Sequence, residues 1–338
     1  MPRLSIAECE QLAQRALAAS GTSSGQSGSA ARALVAAEVD GQSGHGLARV
    51  PSYAAQVRAG KIDGHAVPSF RRLRRAVVRI DAACGFAFPA LDLAAETLPS
   101  LARECGVASA MIHRSHHIGA AGYTAERLAR QGCIALVCSN TPRAMAFAGG
   151  VRPMMGTNPI AFAVPHPNRV PLVIDMALSQ VARSRIVAAQ KASKSIPSDW
   201  ATDSAGQPTT DPAAALAGAL VPAGGVKGAA LALIVEILCG ALAGGHYGWE
   251  ASSFLDDQGP PPAVGQVLLA WDADILSGGE YSRRISDLLE VMDAENGVRI
   301  PGDRRLTSRA RAAAHGVEIG AQLHATLMEL TEQAEATR

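Results

Sequence analysis

The chain has 338 residues, 48% hydrophobic and 18% charged, enough to bury a large core in one big domain or two interlocked ones. Its 31 basic and 30 acidic side chains leave a net charge of +1, which excludes a whole-chain electrostatic footprint for nucleic acid or an anionic membrane and leaves a small molecule as the expected partner. Glu8 and Glu10 fall where a secretory leader needs an apolar centre, so a cytoplasmic protein is expected. The longest apolar run, residues 229–238, is short of the roughly 18 residues of a membrane span and is broken by Glu236, so it reads as a buried helix. The six cysteines are scattered and lack CxxC pairing, and they read as reduced core thiols, neither metal ligands nor disulfide partners.

Ser5 followed by Glu8 is the signature of a capping box, and with Ile6, Leu12, Ala13 and Leu17 it predicts a first helix over 6–19. The Gly/Ser stretch 21–29 reads as a turn, followed by helices over 30–40 and 49–59, the last stopped by Gly60. From residue 76 the rhythm changes to short apolar runs at 76–81, 108–113, 133–138, 160–164 and 170–175, which read as strands. Helices over 89–104 and 120–131 separate the first three of them. A polar crossing at 203–212 leads to a long apolar helix over 227–243, a strand over 265–271 and a helical C-terminus. The expected fold is mixed α/β or α+β, a mixed sheet with helical cover.

Five places carry chemistry. Ser43-Gly44-His45-Gly46-Leu47-Ala48-Arg49 lies between two predicted helices, where loops position functional groups. Glycines around His45 let a substrate approach, its near-neutral pKa suits a proton donor, and Arg49 offers a planar fork for a carboxylate. A turn histidine and a solvated arginine would produce the same string. His116 and His117 follow a strand and precede a helix; as adjacent residues they diverge, and with no carboxylate or cysteine cluster beside them no metal site is expected. Asp175 ends a predicted strand, where it can cap the next segment or orient a catalytic histidine. Gly224-Gly225-Val226-Lys227-Gly228 opens the apolar helix, and free N–H groups there with a lysine make a natural anion site. It is not a Walker A loop, and no GxGxxG follows a strand. Pro301-Gly302-Asp303-Arg304-Arg305 puts paired arginines in a loop, suited either to a ribose 2′-phosphate or to an exposed basic turn.

In order along the chain, GHGLARVPSY (44–53), SHHIGAAGY (115–123), GTNPIAFAVP (156–165), VIDMALS (173–179), SIPSDWATDSAGQPTTDP (195–212) and GGVKGAALALIVEIL (224–238) resemble the type-2 malate/L-lactate dehydrogenase family. The resemblance covers nearly the whole chain. It implies an NAD(P)H-dependent oxidoreductase that is a homodimer, with the active site near the subunit boundary. It also implies a helical domain of residues 1–65 joined by 306–338, and a coenzyme-binding domain of 66–305 with a mixed sheet of non-Rossmann topology. By position His45 resembles the family's proton donor, Asp175 the carboxylate of its relay and Arg49 the grip on the substrate carboxylate. His117, Ser139, Asn140, Thr157 and Lys227, with Gly225 and Gly228 of the glycine-rich turn, match positions lining the coenzyme and substrate cleft, His117 also standing among the catalytic positions.

Within the family, RIPGDRR (299–305), VRIDAACGFAFPAL (78–91) and the start of the 224–238 segment are most similar to the Δ1-piperideine-2-carboxylate/Δ1-pyrroline-2-carboxylate reductases. That similarity implies NADPH-dependent reduction of a cyclic 2-imino carboxylate to L-proline or L-pipecolate, with Arg304 and Arg305 on the extra phosphate and NADH as the other coenzyme form. The 195–212 segment is closer to ureidoglycolate and malate/lactate members, which keeps a 2-hydroxy-acid dehydrogenase of malate, lactate, ureidoglycolate or sulfolactate type as the alternative. The family usually has a serine immediately before the histidine, where it joins the relay; here Gly44 stands there and Ser43 lies one place earlier. Either Ser43 reaches in, or the relay runs on Asp175 alone. That loss matters less for a cyclic imine that arrives protonated than for a ketone whose oxygen needs a proton.

Overall fold

The computed structural model describes residues 1–332; residues 333–338, the end of the segment expected to join the helical domain, lie outside the described residues. The predicted capping box starts α1 (Ile6–Ala18), the Ser5 hydroxyl accepting from the Glu8 amide and the Glu8 carboxylate accepting from the Ser5 amide. The Gly/Ser stretch is not the expected turn. Ser23 caps α2 (Ser24–Val39) through its side chain, and Ser27, Gly28 and Ser29 are buried inside that helix. Small residues there let α2 press against α1 and against α4 (Ala87–Cys105), so a composition typical of loops serves close helix packing instead. The predicted third helix is α3 (Val50–Arg58), with Gly60 beyond its end at φ +73°.

The centre is a seven-stranded sheet built from β1 (Ser69–Arg74), β2 (Val77–Asp81), β3 (Val107–Ser115), β4 (Cys133–Ser139), β5 (Ile160–Val164), β6 (Leu172–Met176) and β7 (Val264–Asp272), in the order β1-β2-β3-β7-β4-β5-β6. Only β2 and β3 run parallel; every other neighbouring pair is antiparallel. All strands but β1 were legible as apolar runs. β1 reads Ser-Phe-Arg-Arg-Leu-Arg and is an exposed edge, held by its ladder to β2 rather than by burial.

Alternation sorts side chains between two layers. In β4, Cys133, Ala135 and Val137 enter the core shared with α1, α2, α4 and α5 (Ala121–Ala129), while Leu136 and Cys138 face the opposite core. Alanines at 108, 110, 135, 161, 163 and 270 pave the first face and let α4 and α5 lie close on the sheet. The second face carries a small sheet of short strands, Ala201–Thr202, Ala219–Leu220, Met145–Ala146 and Pro153–Met155, with α6 (Arg183–Lys191), a short helix at Pro212–Ala217 and α7 (Val226–Glu236) packed on it. α7 does not run on as an α-helix to 243: from Ile237 to Leu242 it is a π-helix, at the point where the Cys239 carbonyl meets Gly265 and Gly240 meets the Tyr247 ring. The C-terminal part comprises α8 (Tyr281–Ala294), α9 (Asp303–His315) and α10 (Ala321–Glu332), the last packed on α1 and α3. Among the described residues no helix is long and apolar enough to cross a membrane.

Glu236, the charge that interrupts the apolar run, is 1% exposed at the end of α7. Its Oε1 accepts from Asn140 Nδ2 at 3.0 Å and the Gly248 amide at 2.6 Å, and its Oε2 from Asn158 Nδ2 at 2.8 Å. One carboxylate therefore ties the end of β4, the turn before β5 and the loop after the π-helix to a single helix. Glu236→Ala strands these donors, and with hydrogen bonds to charged groups worth about 1.5–3 kcal/mol each it is expected to cost at least about 3 kcal/mol of unfolding free energy. Urea denaturation of the variant reads this directly, and a midpoint equal to that of the parent chain would refute it.

Candidate active site

α2 ends at Asp40, and Gly41 at φ +77° turns the chain into two short 3₁₀ turns, Ser43–His45 and Leu47–Arg49, that lead into α3. Glu38 holds this loop from below: its Oε2 accepts from the Leu47 amide at 2.8 Å, and burial pushes its carboxyl up from the usual range. A Cβ at Gly46 would lie 2.1 Å from that oxygen, so the glycine after His45 is required by the support of the loop.

His45 stacks on His117, ring centroids 5.3 Å apart and planes 19° from parallel. His117 shares a 2.6 Å hydrogen bond between its Nδ1 and the Tyr53 hydroxyl, and Phe254 closes the other side at 5.1 Å. His116 points elsewhere, its Nε2 meeting Gln56 Oε1 at 2.8 Å, so the two adjacent histidines diverge as their spacing requires. Burial, followed by the Arg49 charge, lowers His45 to about 4; burial, then Lys61 and Arg49, lowers His116 to about 3; and burial with Arg49 holds His117 well below its ordinary value. All three rings are neutral at pH 7. The Nδ1 of His45 is buried with no hydrogen-bond partner.

Arg49 is half-buried and donates Nε to the Gly44 carbonyl at 2.7 Å. No carboxylate pairs with it among the described residues, so its charge bears on the histidines uncompensated. Asp175, half-buried at the end of β6, accepts from the Gly122 amide at 2.9 Å rather than from His45, and burial pushes its carboxyl up against the opposing pull of Gly122, Arg305 and Gln42. The expected Asp175–His45 hydrogen bond is therefore not formed here. Ser43 is exposed and makes no side-chain hydrogen bond, while the open side of Gly44 is met by Ser184 of α6, whose Oγ lies 3.4 Å from where a Cβ at 44 would stand.

The expected coenzyme residues fall into three groups. Ser139 and Asn140 are fully buried and already bonded: the Ser139 hydroxyl donates to the Asn140 and Gly265 carbonyls, and Asn140 spends its amide on Glu236, the His246 carbonyl and the Gly265 amide. Their polar groups are spent within the protein and offer no free donor to a ligand. Thr157 is half-buried, its amide donating to Thr141 Oγ1. Gly225 caps α7 at φ +67° with open space around it, Lys227 is exposed without a carboxylate partner among the described residues, and Gly228 is buried with a Cβ position 1.9 Å from the Ala223 carbonyl oxygen. The arginine pair divides. Arg304 is exposed, but Arg305 is 8% exposed and lies between Asp40 and Glu126 at 3.5 and 3.7 Å, so its charge is compensated inside the protein and it is not free to hold a coenzyme phosphate. A paired-arginine motif cannot reveal this, because the partners lie far away in sequence. Tyr53, Gln56 and Phe254 belong to the site and were missed; Tyr53 was within reach, one helical turn after Arg49 on the face that returns to the loop.

Neutral buried histidines carry a pH signature. The unfolded chain takes protons on them near pH 6.5, whereas the folded chain resists until about 4 and about 3 for His45 and His116. Their contribution to stability is complete above pH 6.5 and is lost as pH falls toward those folded values. Glu38 and Asp175, whose carboxyls are raised, act in the opposite sense once they begin to protonate. The thermal midpoint is expected to fall between pH 7 and 5.5, ahead of ordinary carboxylate titration; calorimetry showing a flat profile there would contradict the burial of these rings.

The chain matches the malate/L-lactate dehydrogenase family over residues 4–328. It is 48% identical over 302 residues to a (2R)-3-sulfolactate dehydrogenase (NADP(+)) of Chromohalobacter salexigens, covering 89% of this chain and 90% of that one. It is 38% identical over 331 residues to a Δ1-pyrroline-2-carboxylate reductase of Ancylobacter novellus, covering 97% of each. The crystal structure of Δ1-piperideine-2-carboxylate reductase from Pseudomonas syringae superposes with a TM-score of 0.93 at 36% identity, covering 98% of this chain and 100% of that one. A fold with a stacked histidine pair beside an uncompensated arginine, and this breadth of similarity, make the chain a member of the malate/L-lactate dehydrogenase family, and an oxidoreductase.

Proposed function

We propose that the chain is an NADPH-dependent reductase acting at C2 of a small carboxylate, and that its substrate is a cyclic 2-imino carboxylate of the pyrroline or piperideine type. The observation that carries this is a neutral His45 whose Nδ1 has no orienting partner, next to an arginine with no carboxylate of its own. Arg49 anchors the substrate carboxylate. Its arrival compensates the Arg49 charge, which after burial is the second cause that depresses His45, and so raises the affinity of the imidazole for a proton. A cyclic imine protonated on nitrogen needs no proton during reduction, which suits a histidine that is neutral in the free protein and lacks the neighbouring serine hydroxyl. His117, fixed by Tyr53, stacks behind His45 and holds its ring in place.

The residues present fit a nicotinamide dinucleotide. The α7 N-terminus has open space at Gly224 and Gly225 and an exposed, unpaired Lys227, which suits a pyrophosphate, and Arg304 is the remaining candidate for a 2′-phosphate. Bound there, the coenzyme supplies the hydride. The surrounding sheet has one parallel pairing and no GxGxxG turn, which supports a coenzyme region of non-Rossmann topology. Free cysteines throughout suit the cytoplasm.

A second reading, reduction of a 2-oxo acid to a 2-hydroxy acid, is favoured by the 48% identity to a sulfolactate dehydrogenase. Initial rates with NADPH and NADH against pyrroline-2-carboxylate, piperideine-2-carboxylate, 3-sulfopyruvate, pyruvate and oxaloacetate separate the two. Imine rates well above all keto-acid rates are expected; the reverse order overturns the imine assignment. In the same assay Arg49→Met is expected to lose roughly 10- to 150-fold in kcat/KM, the worth of about 1.5–3 kcal/mol for a charged hydrogen bond. His45→Ala is expected to cut keto-acid reduction roughly 100-fold and imine reduction less. Near-parental rates for both variants on every substrate would remove these residues from the mechanism.

We further propose a homodimer. Val226, Leu231, Ile234, Ile237 and Leu242, along α7 and its π-helical extension, are 71%, 43%, 51%, 51% and 57% exposed, an apolar stripe that supports burial against a second copy. Ile234→Glu is expected to shift the protein to monomer in analytical ultracentrifugation. A parent chain that sediments as a monomer would rule the dimer out.

A further inference from the structure

Lys61 is among the largest fully buried side chains, 1% exposed. Its ammonium donates to the carbonyls of Ser253 at 2.7 Å, Asp256 at 3.0 Å and Gln258 at 2.7 Å, with Asp256 Oδ1 at 3.4 Å. A buried charge is costly unless surrounded, and this shell of backbone oxygens is the kind that binds a dehydrated monovalent cation. Lys61 thus delivers a tethered cation to a loop remote in sequence.

That loop bears on the histidines. Phe254, 7% exposed, packs its ring 5.1 Å from both His116 and His117. Its carbonyl accepts from Gln56 Nε2 at 3.1 Å, and the Gln56 carbonyl oxygen Oε1 meets His116 Nε2 at 2.8 Å. The Lys61 amide donates to the backbone carbonyl of the same Gln56 at 2.9 Å, which fixes the lysine and the glutamine in one frame.

We propose that Lys61 is a positioning residue whose ammonium closes residues 253–258 over the histidine pair, holding Phe254 as the wall that keeps water from His116 and His117. Without the cation, three carbonyls converge with nothing between them and must turn toward water, which carries Phe254 off the rings. Lys61 reaches no reacting atom. Only the kinetic arm of its test rests on the reading of the His45–His117 pair as the reductase site.

The test uses the full chain with Lys61→Ala, which removes the ammonium together with three carbons of its stem and leaves room for a small cation among the carbonyls. Hydrogen exchange across 252–260 is expected to rise and kcat to fall roughly ten-fold with KM little changed, the cost of a displaced wall. Added potassium or methylammonium chloride is expected to restore both protection and kcat, while choline, too large for the shell, restores neither. Protection and kcat at parental values without any cation overturn the proposal. Losses that no small cation restores assign the effect to the lysine stem and overturn the role of the ammonium. Phe254→Ala supplies the check if Lys61→Ala does not fold: it is expected to lower kcat with the 256–258 clamp still protected, and an unchanged kcat sinks the proposal. If exchange responds to cations as expected while the parent chain reduces none of the C2 substrates, the clamp stands and the functional reading falls.

Discussion

The rest of the molecule hangs on one buried carboxylate. Glu236 accepts hydrogen bonds from Asn140 and Asn158, 96 and 78 residues away, and from the nearby Gly248 amide. Asn158 is held at φ +42°, a left-handed conformation that asparagine tolerates better than most residues, and its side chain spans from the Thr141 amide to Glu236 and the Ala232 carbonyl. The side-chain amides of Asn140 and Asn158 are both fully used, each as donor and as acceptor. This is a polar network in which every partner is used, the condition under which buried polarity specifies one arrangement instead of loosening the core.

The histidine cluster follows an opposite logic. Tyr53, Phe86 and Phe254 surround His116 and His117 with aromatic surface, Phe88 backing Tyr53 and Phe86, and this apolar surround keeps the rings neutral. One positive charge, Arg49, is left uncompensated at its edge. Among the described residues Arg49 has no carboxylate partner, and in a low-dielectric surround such a charge acts strongly on nearby titrating groups. Burial and then the Arg49 guanidinium lower the proton affinity of His45, so a change at Arg49 is felt at the ring.

Strand positions were legible because a sheet buried on both faces writes itself as short apolar runs, and the helix starts at Ile6 and Val50 were legible from capping residues and glycine stops. α2 was misread at its start because Ser27, Gly28 and Ser29 are small for packing rather than for turning. β1 escaped because an edge strand draws its order from a neighbour's backbone and leaves its side chains free to be charged. In the site, His45, Arg49 and His117 were visible as types in a loop, whereas the burial of Arg305 and the bond of Asp175 to Gly122 depend on long-range contacts that no local pattern encodes. Glu236 did leave a trace, a lone acid in an apolar run, but its three partners had to be seen in space.

Arg309 of α9 forks onto Asp40 at 2.5 and 2.9 Å and onto Glu126 at 2.7 Å through each of two nitrogens. Asp40 is the last residue before the turn that carries His45. The loop at the start of the chain is thus anchored by a residue synthesised 269 positions later. The His45 turn carries a local tie, from Glu38 to the Leu47 amide, and a distant one through Asp40 that forms only once α9 exists. The full set of ties on the turn therefore depends on contacts of long sequence separation, the kind that form late in folding.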